Sequence, residues 1–230
     1  MRAERDSGIP VFLGLFAFWA GLLLAGHNYP GGYDWPYTTI SSLVYAERNP
    51  SGFLWARSGM AVCGVLGWYW SARLVWSRSQ WAALPAAGIR TVGIGYLCLT
   101  CCALLPEQSF PIPKGHDSLA LAAFLSLTLG TVLISFAVVY PSARQRQLPG
   151  GPWLYAGVLG GLAFAPVLLA AIAQAYVTHA LPGLPWVSPV WRARGVPVRL
   201  SFAFWEWVTC AVLTLYLAVL SRTTASSAHR

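Results

Sequence analysis

Glu206 and Arg57 are the side chains hardest to reconcile with the apolar runs that surround them in this 230-residue chain. Glu206 falls six positions into the last apolar run, about 9 Å below its start at 1.5 Å per helical residue. A carboxylate at that depth in a nonpolar medium is costly and needs a partner. Arg57 lies four residues into another run and reaches a comparable depth, so an Arg57–Glu206 ion pair is expected. Such a pair either locks two helices together or forms the floor of a polar cavity. Three histidines, His27, His116 and His179, fall at the ends of different runs, close in height to Asp34, Asp117 and Glu206. Imidazoles beside carboxylates are the ingredients of a zinc site with a carboxylate base. No ligand spacing such as His-x3-His accompanies them, so neither metal nor cofactor is expected, and a metal-dependent membrane hydrolase stands only as an alternative. His27, Asp34 and His116 are the acid–base candidates if chemistry occurs. Asp117 or Ser118 is placed to cap a helix. Ser41, Ser42 and Ser118 lack the Gly-x-Ser-x-Gly turn that exposes a nucleophile. Arg192, Arg194 and Arg199 cluster in a proline-broken stretch, where they suit an anionic lipid head group.

The elements that must position these residues follow from composition. The chain is 57% hydrophobic and 10% charged, with a mean hydropathy of +0.56, outside the balance of a water-soluble domain. Its net charge of +8 comes from basic residues scattered singly at the ends of apolar runs, which excludes a nucleic-acid stripe or tail. Crossing the hydrocarbon takes about 20 mainly apolar helical residues. Six stretches qualify, near Ile9–Gly26, Phe53–Trp76, Ala87–Leu105, Ser118–Tyr140, Trp153–Val177 and Leu200–Leu220. The expected fold is therefore all-α: a polytopic transmembrane bundle of six helices in a single domain over residues 1–230. The first run is long enough to anchor and has no clean cleavage site after it, so it reads as a span rather than a leader.

Charge sets the orientation. With a cytoplasmic amino terminus, Arg2, Arg5, Arg73, Arg78, Arg90, Arg144, Arg146, Arg222 and Arg230 lie inside, against six Lys or Arg outside. Both termini are then cytoplasmic, in a plasma membrane or a bacterial inner membrane. Trp35, Trp55, Trp186, Trp191, Trp205 and Trp207 form an outer aromatic belt, and Trp68, Trp70, Trp76, Trp81 and Trp153 an inner one. Gly157 and Gly161 are spaced to let a neighbouring helix approach. The cysteines Cys63, Cys98, Cys101, Cys102 and Cys210 all sit in apolar runs and read as small packing residues; a bridge from Cys101 or Cys102 to Cys210 is the lesser alternative.

The outer connections are the polar ones. The first runs from His27 past Tyr29-Pro30-Gly31-Gly32 and Trp35-Pro36-Tyr37-Thr38-Thr39-Ile40-Ser41-Ser42 to Asn49-Pro50, too long for an ordinary turn and so expected to fold over the bundle. The stretch from Trp35 to Leu43 with Asn49-Pro50 resembles the first-loop pattern of the Frag/DRAM/Sfk membrane proteins and of the related bacterial family of unknown function numbered 998. Phe110-Pro111 followed by His116, and Glu206-Trp207, are similar to further marks of that group. Ser42 stands where the group's pattern has Asp. The resemblance implies a six-helix bundle with a connection to lipid.

Two functional readings follow. The first is a multi-pass protein that binds or processes a lipid at a pocket opening to the outer leaflet, with Arg57 and Glu206 in its floor and Arg192, Arg194 and Arg199 meeting the head group. The second is a non-catalytic accessory subunit whose apolar faces contact other membrane protein subunits. Neither involves nucleic acid.

Overall fold

The computed structural model describes residues 8–77, 83–105, 115–145, 151–180 and 190–226. Trp81, Trp186, Lys114 and the Phe110-Pro111 pair lie outside them. Every described element is helical: α1 (Ile9–His27), α2 (Ser41–Val44), α3 (Phe53–Ser77), α4 (Ala83–Leu104), α5 (Gly115–Gln145), α6 (Gly151–Ala180), α7 (Val190–Ala193) and α8 (Phe202–Ser226), with a 3-10 turn at Val198–Leu200. Five of them, α1, α4, α5, α6 and α8, contain stretches long and apolar enough to cross a membrane. The protein is a membrane-embedded helical bundle. Helix α3, at 25 residues, has ample length, but Arg57, Arg73, three Gly, four Trp and Tyr69 lower its hydropathy.

Most helix boundaries fall within a few residues of the apolar runs. The exceptions matter for the site. Helix α5 begins at Gly115, so Asp117 lies in its first turn instead of capping it, where its charge still complements the amino-terminal dipole. Helix α8 begins at Phe202, after a 3-10 turn that Pro197 introduces, which makes Glu206 only its fifth residue. Glu206 therefore lies about 6 Å from the helix start instead of 9 Å. Helix α6 continues through Pro166, an interruption of its hydrogen-bond ladder that apolar patterning alone does not reveal.

The long helices follow one another around a ring: α1 packs on α3, α3 on α4, α4 on α5, α5 on α6, and α6 on α8. Helix α8 closes the ring only lightly, touching α1 and α5 far less than it touches α6. Glycines set the tight crossings. A Cβ on Gly21 would come within 2.5 Å of the Trp55 carbonyl, and one on Gly59 within 2.5 Å of the Ala17 carbonyl, so α1 and α3 meet backbone to backbone. Gly88 and Gly130 do the same for α4 and α5. Where helices have no water to displace, such contact replaces the hydrophobic effect as the source of packing energy. Gly161, by contrast, has no described atom within 4 Å of where a Cβ would stand, so no described helix makes the close approach expected there, while the surroundings of Gly157 lie outside the described residues.

Apolar faces turned outward complete the picture, with Phe16, Leu23, Leu168 and Leu215 among the exposed side chains. Two tryptophans assigned to the aromatic belts are instead core residues: Trp70 and Trp191 are each 1% exposed. Large rings fill the space between helix ends that small residues leave open. Several Ser and Thr hydroxyls inside the bundle return to their own helix, as in Ser71 Oγ to the Gly67 carbonyl and Thr100 Oγ1 to the Tyr96 carbonyl, each at 2.9 Å. All five cysteines are free thiols.

Candidate functional site

The segment between α1 and α3 folds across one end of the bundle and is held there by polar contacts. Gly31 and Gly32 adopt φ of 74° and 90°, a left-handed backbone that turns the chain back over the helices. Tyr33 then directs its hydroxyl to the carbonyls of Thr38 and Thr39, at 2.7 and 3.0 Å, and accepts a hydrogen bond from Trp207 Nε1 at 3.2 Å. One phenol thus ties the loop to itself and to α8. Burial, and secondarily the negative charge of Glu206, raise the Tyr33 pKa well above its ordinary value. Tyr37 donates to the Val196 carbonyl at 2.6 Å, joining this loop to the segment before α8.

Beyond Tyr37 the chain dips into the bundle. Thr38, Thr39, Ile40, Ser42, Leu43 and Val44 are all buried. The Ile40 backbone N–H donates to Glu206 Oε2 at 2.9 Å. Glu206 thereby holds the buried stretch of the loop in place. Thr39 Oγ1 lies 2.8 Å from Ser41 Oγ and 3.1 Å from Ser42 Oγ, and Arg48 donates to Ser42 Oγ at 3.2 Å. The exit is pinned by Asn49, fully buried, whose Nδ2 donates to the carbonyls of Ala25 and Leu43 at 3.1 and 3.3 Å. Gly52 packs so closely on that amide that a Cβ would sit 2.5 Å from it.

Beneath this cap lies a cavity of about 70 Å³. Leu15 and Phe18 of α1, Met60 of α3, Leu99 of α4, Phe124 and Leu127 of α5, and Leu213 and Leu217 of α8 give it apolar walls. Its polar groups are few: Glu206, His116, Ser41, Thr214, Tyr96 and the thiols of Cys63, Cys102 and Cys210. At about 10–15 Å³ for the centre of each water-sized group, the space holds about five or six of them. The Tyr96 hydroxyl has no hydrogen-bond partner among the described residues.

The residues singled out by sequence fall into three separate settings. Glu206 is on the cavity wall, but the expected ion pair with Arg57 is not formed. Arg57 Nε donates to the Val44 carbonyl at 3.2 Å, and its guanidinium lies 5.8 Å from the Phe53 ring. A guanidinium so placed helps close the carboxyl end of the short α2 helix while its stem lies along α3. The second setting is the cap surface. There Arg192 grips Asp34 through two 2.7 Å hydrogen bonds, Nε to Oδ2 and the terminal nitrogen to Oδ1, and lies 4.9 Å from the Tyr37 ring. The Asp34 hydrogen bond raises the Arg192 pKa. Arg192 is therefore matched within the protein, while Arg194 and Arg199 are exposed and off the cavity wall. Third, His27 and His179 are exposed at the ends of α1 and α6.

His116 alone among the described histidines reaches the cavity. It is 1% exposed, with ring nitrogens 3.4 and 3.5 Å from Cys102 Sγ and its ring 5.0 Å from that of Tyr45. The near-equal distances place the sulfur against the ring rather than in line with either nitrogen lone pair. Tyr45 in turn reaches Asp117 Oδ1 at 3.4 Å. His27, Asp34 and His116 thus occupy different environments, and no group of three metal-ligating side chains converges among the described residues. Sequence reasoning missed Tyr33, Asn49 and the Ile40 amide, which build the site's roof. The signal available was the polar density of the loop itself, since a buried Asn and a buried Tyr hydroxyl need partners. No protein-family profile, curated protein or solved structure matches the chain.

Proposed function

We propose that the protein binds a membrane lipid in the cavity under its cap, at the outer-leaflet end of a six-span bundle. The observation that carries this reading is the wall itself: an apolar chamber among α1, α3, α4, α5 and α8 with one carboxylate at its capped end. Water gains little in such a space, whereas an alkyl segment matches it. The lightly packed seams beside α8 are the routes from the bilayer. Helix α3 is taken as the sixth span, since it lies between α1 and α4 and is long enough to cross. The basic residues then put both termini in the cytoplasm and the cap outside, in a plasma membrane or a bacterial inner membrane. The resemblance of the Trp35–Leu43 stretch to lipid-linked six-helix proteins points the same way.

Substitution of Ala123, a buried residue of α5 on the cavity wall, by Phe fills the chamber without touching the cap. Native mass spectrometry of protein released from lipid nanodiscs tests the proposal. Retention of a lipid adduct by the parent chain and its loss from Ala123→Phe are expected. Equal retention by both, or none by either, rejects the lipid pocket in favour of an accessory-subunit role.

A further inference from the structure

Resting on the lipid-pocket reading, we infer that the ligand is a long-chain primary amine whose ammonium group pairs with Glu206. The carboxylate takes one hydrogen bond, from Ile40, on Oε2. Oε1 accepts none from the described residues, and no described Lys or Arg lies within ion-pair distance of either oxygen. Arg57, the cation best placed by sequence, is engaged with the Val44 carbonyl and the Phe53 ring. Asp117 lies within electrostatic reach of Glu206 and adds further negative potential to that end of the cavity. A carboxyl in apolar surroundings keeps its charge only when paired or hydrogen-bonded on both oxygens and otherwise takes up a proton, so a cation at Oε1 is what makes the ionised form stable there.

Ligand chemistry follows from that deficit. An ammonium brings a positive charge and three donors, one for Oε1 and others for neutral acceptors on the wall such as Ser41 Oγ. A phosphate or fatty-acid head brings a second negative charge to the same place and is repelled. The arginines that would attract a phosphate are elsewhere: Arg192 is matched by Asp34, and none of Arg192, Arg194 and Arg199 lines the cavity. With room for about five or six water-sized groups, the chamber holds the head and the first several methylenes. The remainder of the chain extends between helices into the bilayer, which favours a slim single chain over a fused-ring lipid.

Saturable binding of radiolabelled dodecylamine to the purified full-length protein tests the inference, with 1-dodecanol and dodecanoate as competitors of equal chain length. Dodecylamine is expected to bind at least tenfold more tightly than either. Glu206→Gln is expected to lose about tenfold affinity for the amine while leaving 1-dodecanol unchanged. The Gln amide oxygen still accepts from Ile40, and exchange at the Ile40 amide that stays well short of the Glu206→Ala rate verifies that the cap is retained. If 1-dodecanol or dodecanoate competes as well as the amine, or if Glu206→Gln binds the amine undiminished, the amine assignment is overturned while the lipid pocket stands. If none of the three amphiphiles binds, or Ala123→Phe leaves their binding intact, the pocket reading itself falls.

Discussion

Replacing Glu206 by Ala removes the acceptor that fixes the Ile40 amide at 2.9 Å and leaves that amide facing an apolar cavity. Leaving a buried donor without its acceptor costs about 1–3 kcal/mol, so opening of the loop at Ile40 becomes easier by about 2 kcal/mol. That corresponds to amide exchange about 30-fold faster, at about 1.4 kcal/mol per factor of ten. Glu206→Gln keeps a neutral acceptor in the same place. Its expected loss is about 1 kcal/mol, or about fivefold in exchange. Global melting is the wrong assay here, because deleting the carboxylate also removes the cost of keeping it among apolar groups, and the two effects oppose. Hydrogen exchange resolved to the peptide spanning Ile40 reads the local contact alone. Unchanged exchange in Glu206→Ala would refute the view that this carboxylate anchors the cap.

Other outcomes follow from neighbouring contacts. Gly59→Ala should lower the melting temperature in detergent because its methyl group collides with the Ala17 carbonyl, whereas Gly161→Ala should raise it, gaining up to about 1 kcal/mol of helix propensity where space is open. Tyr33 has a pKa raised by folding, so its contribution to stability is fully present below about pH 10 and declines as pH climbs beyond that. Alkaline melting curves should therefore fall less steeply for Tyr33→Phe than for the parent chain, and identical slopes would argue against a buried hydroxyl. The Asp34–Arg192 pair is largely exposed, so a double-mutant cycle should give a small coupling that shrinks further with added salt.

The helices were legible because hydrocarbon imposes a simple rule of length and polarity, although their ends shifted by up to six residues and two of the shifts bear on the site. Pro197 and its 3-10 turn shifted the start of α8, and the extension of α5 back to Gly115 turned an expected cap into a first-turn residue. Glu206 was legible for the same reason, since an acid inside a span stands out. Its partner was not. Side-chain charges can be counted in a sequence, but backbone amides are carried by every residue except proline, and nothing in the letters marks the one from Ile40. Likewise Arg192 read as a lipid ligand because its intramolecular match, Asp34, is 158 positions away. Tryptophans divided between belt and core for a related reason: amphipathic rings suit both places, and only the packing of α3 and α7 assigns Trp70 and Trp191 to the interior.

The central claim is that an alkyl chain occupies the chamber below the cap. A lipid analogue carrying a mid-chain diazirine, incorporated into nanodiscs with the protein and mapped by peptide mass spectrometry after illumination, addresses it most directly. Crosslinks to the inward residues Leu99, Phe124, Leu127 and Leu213 are predicted. Crosslinks confined to outward residues such as Phe16, Leu97 and Leu215 would contradict it.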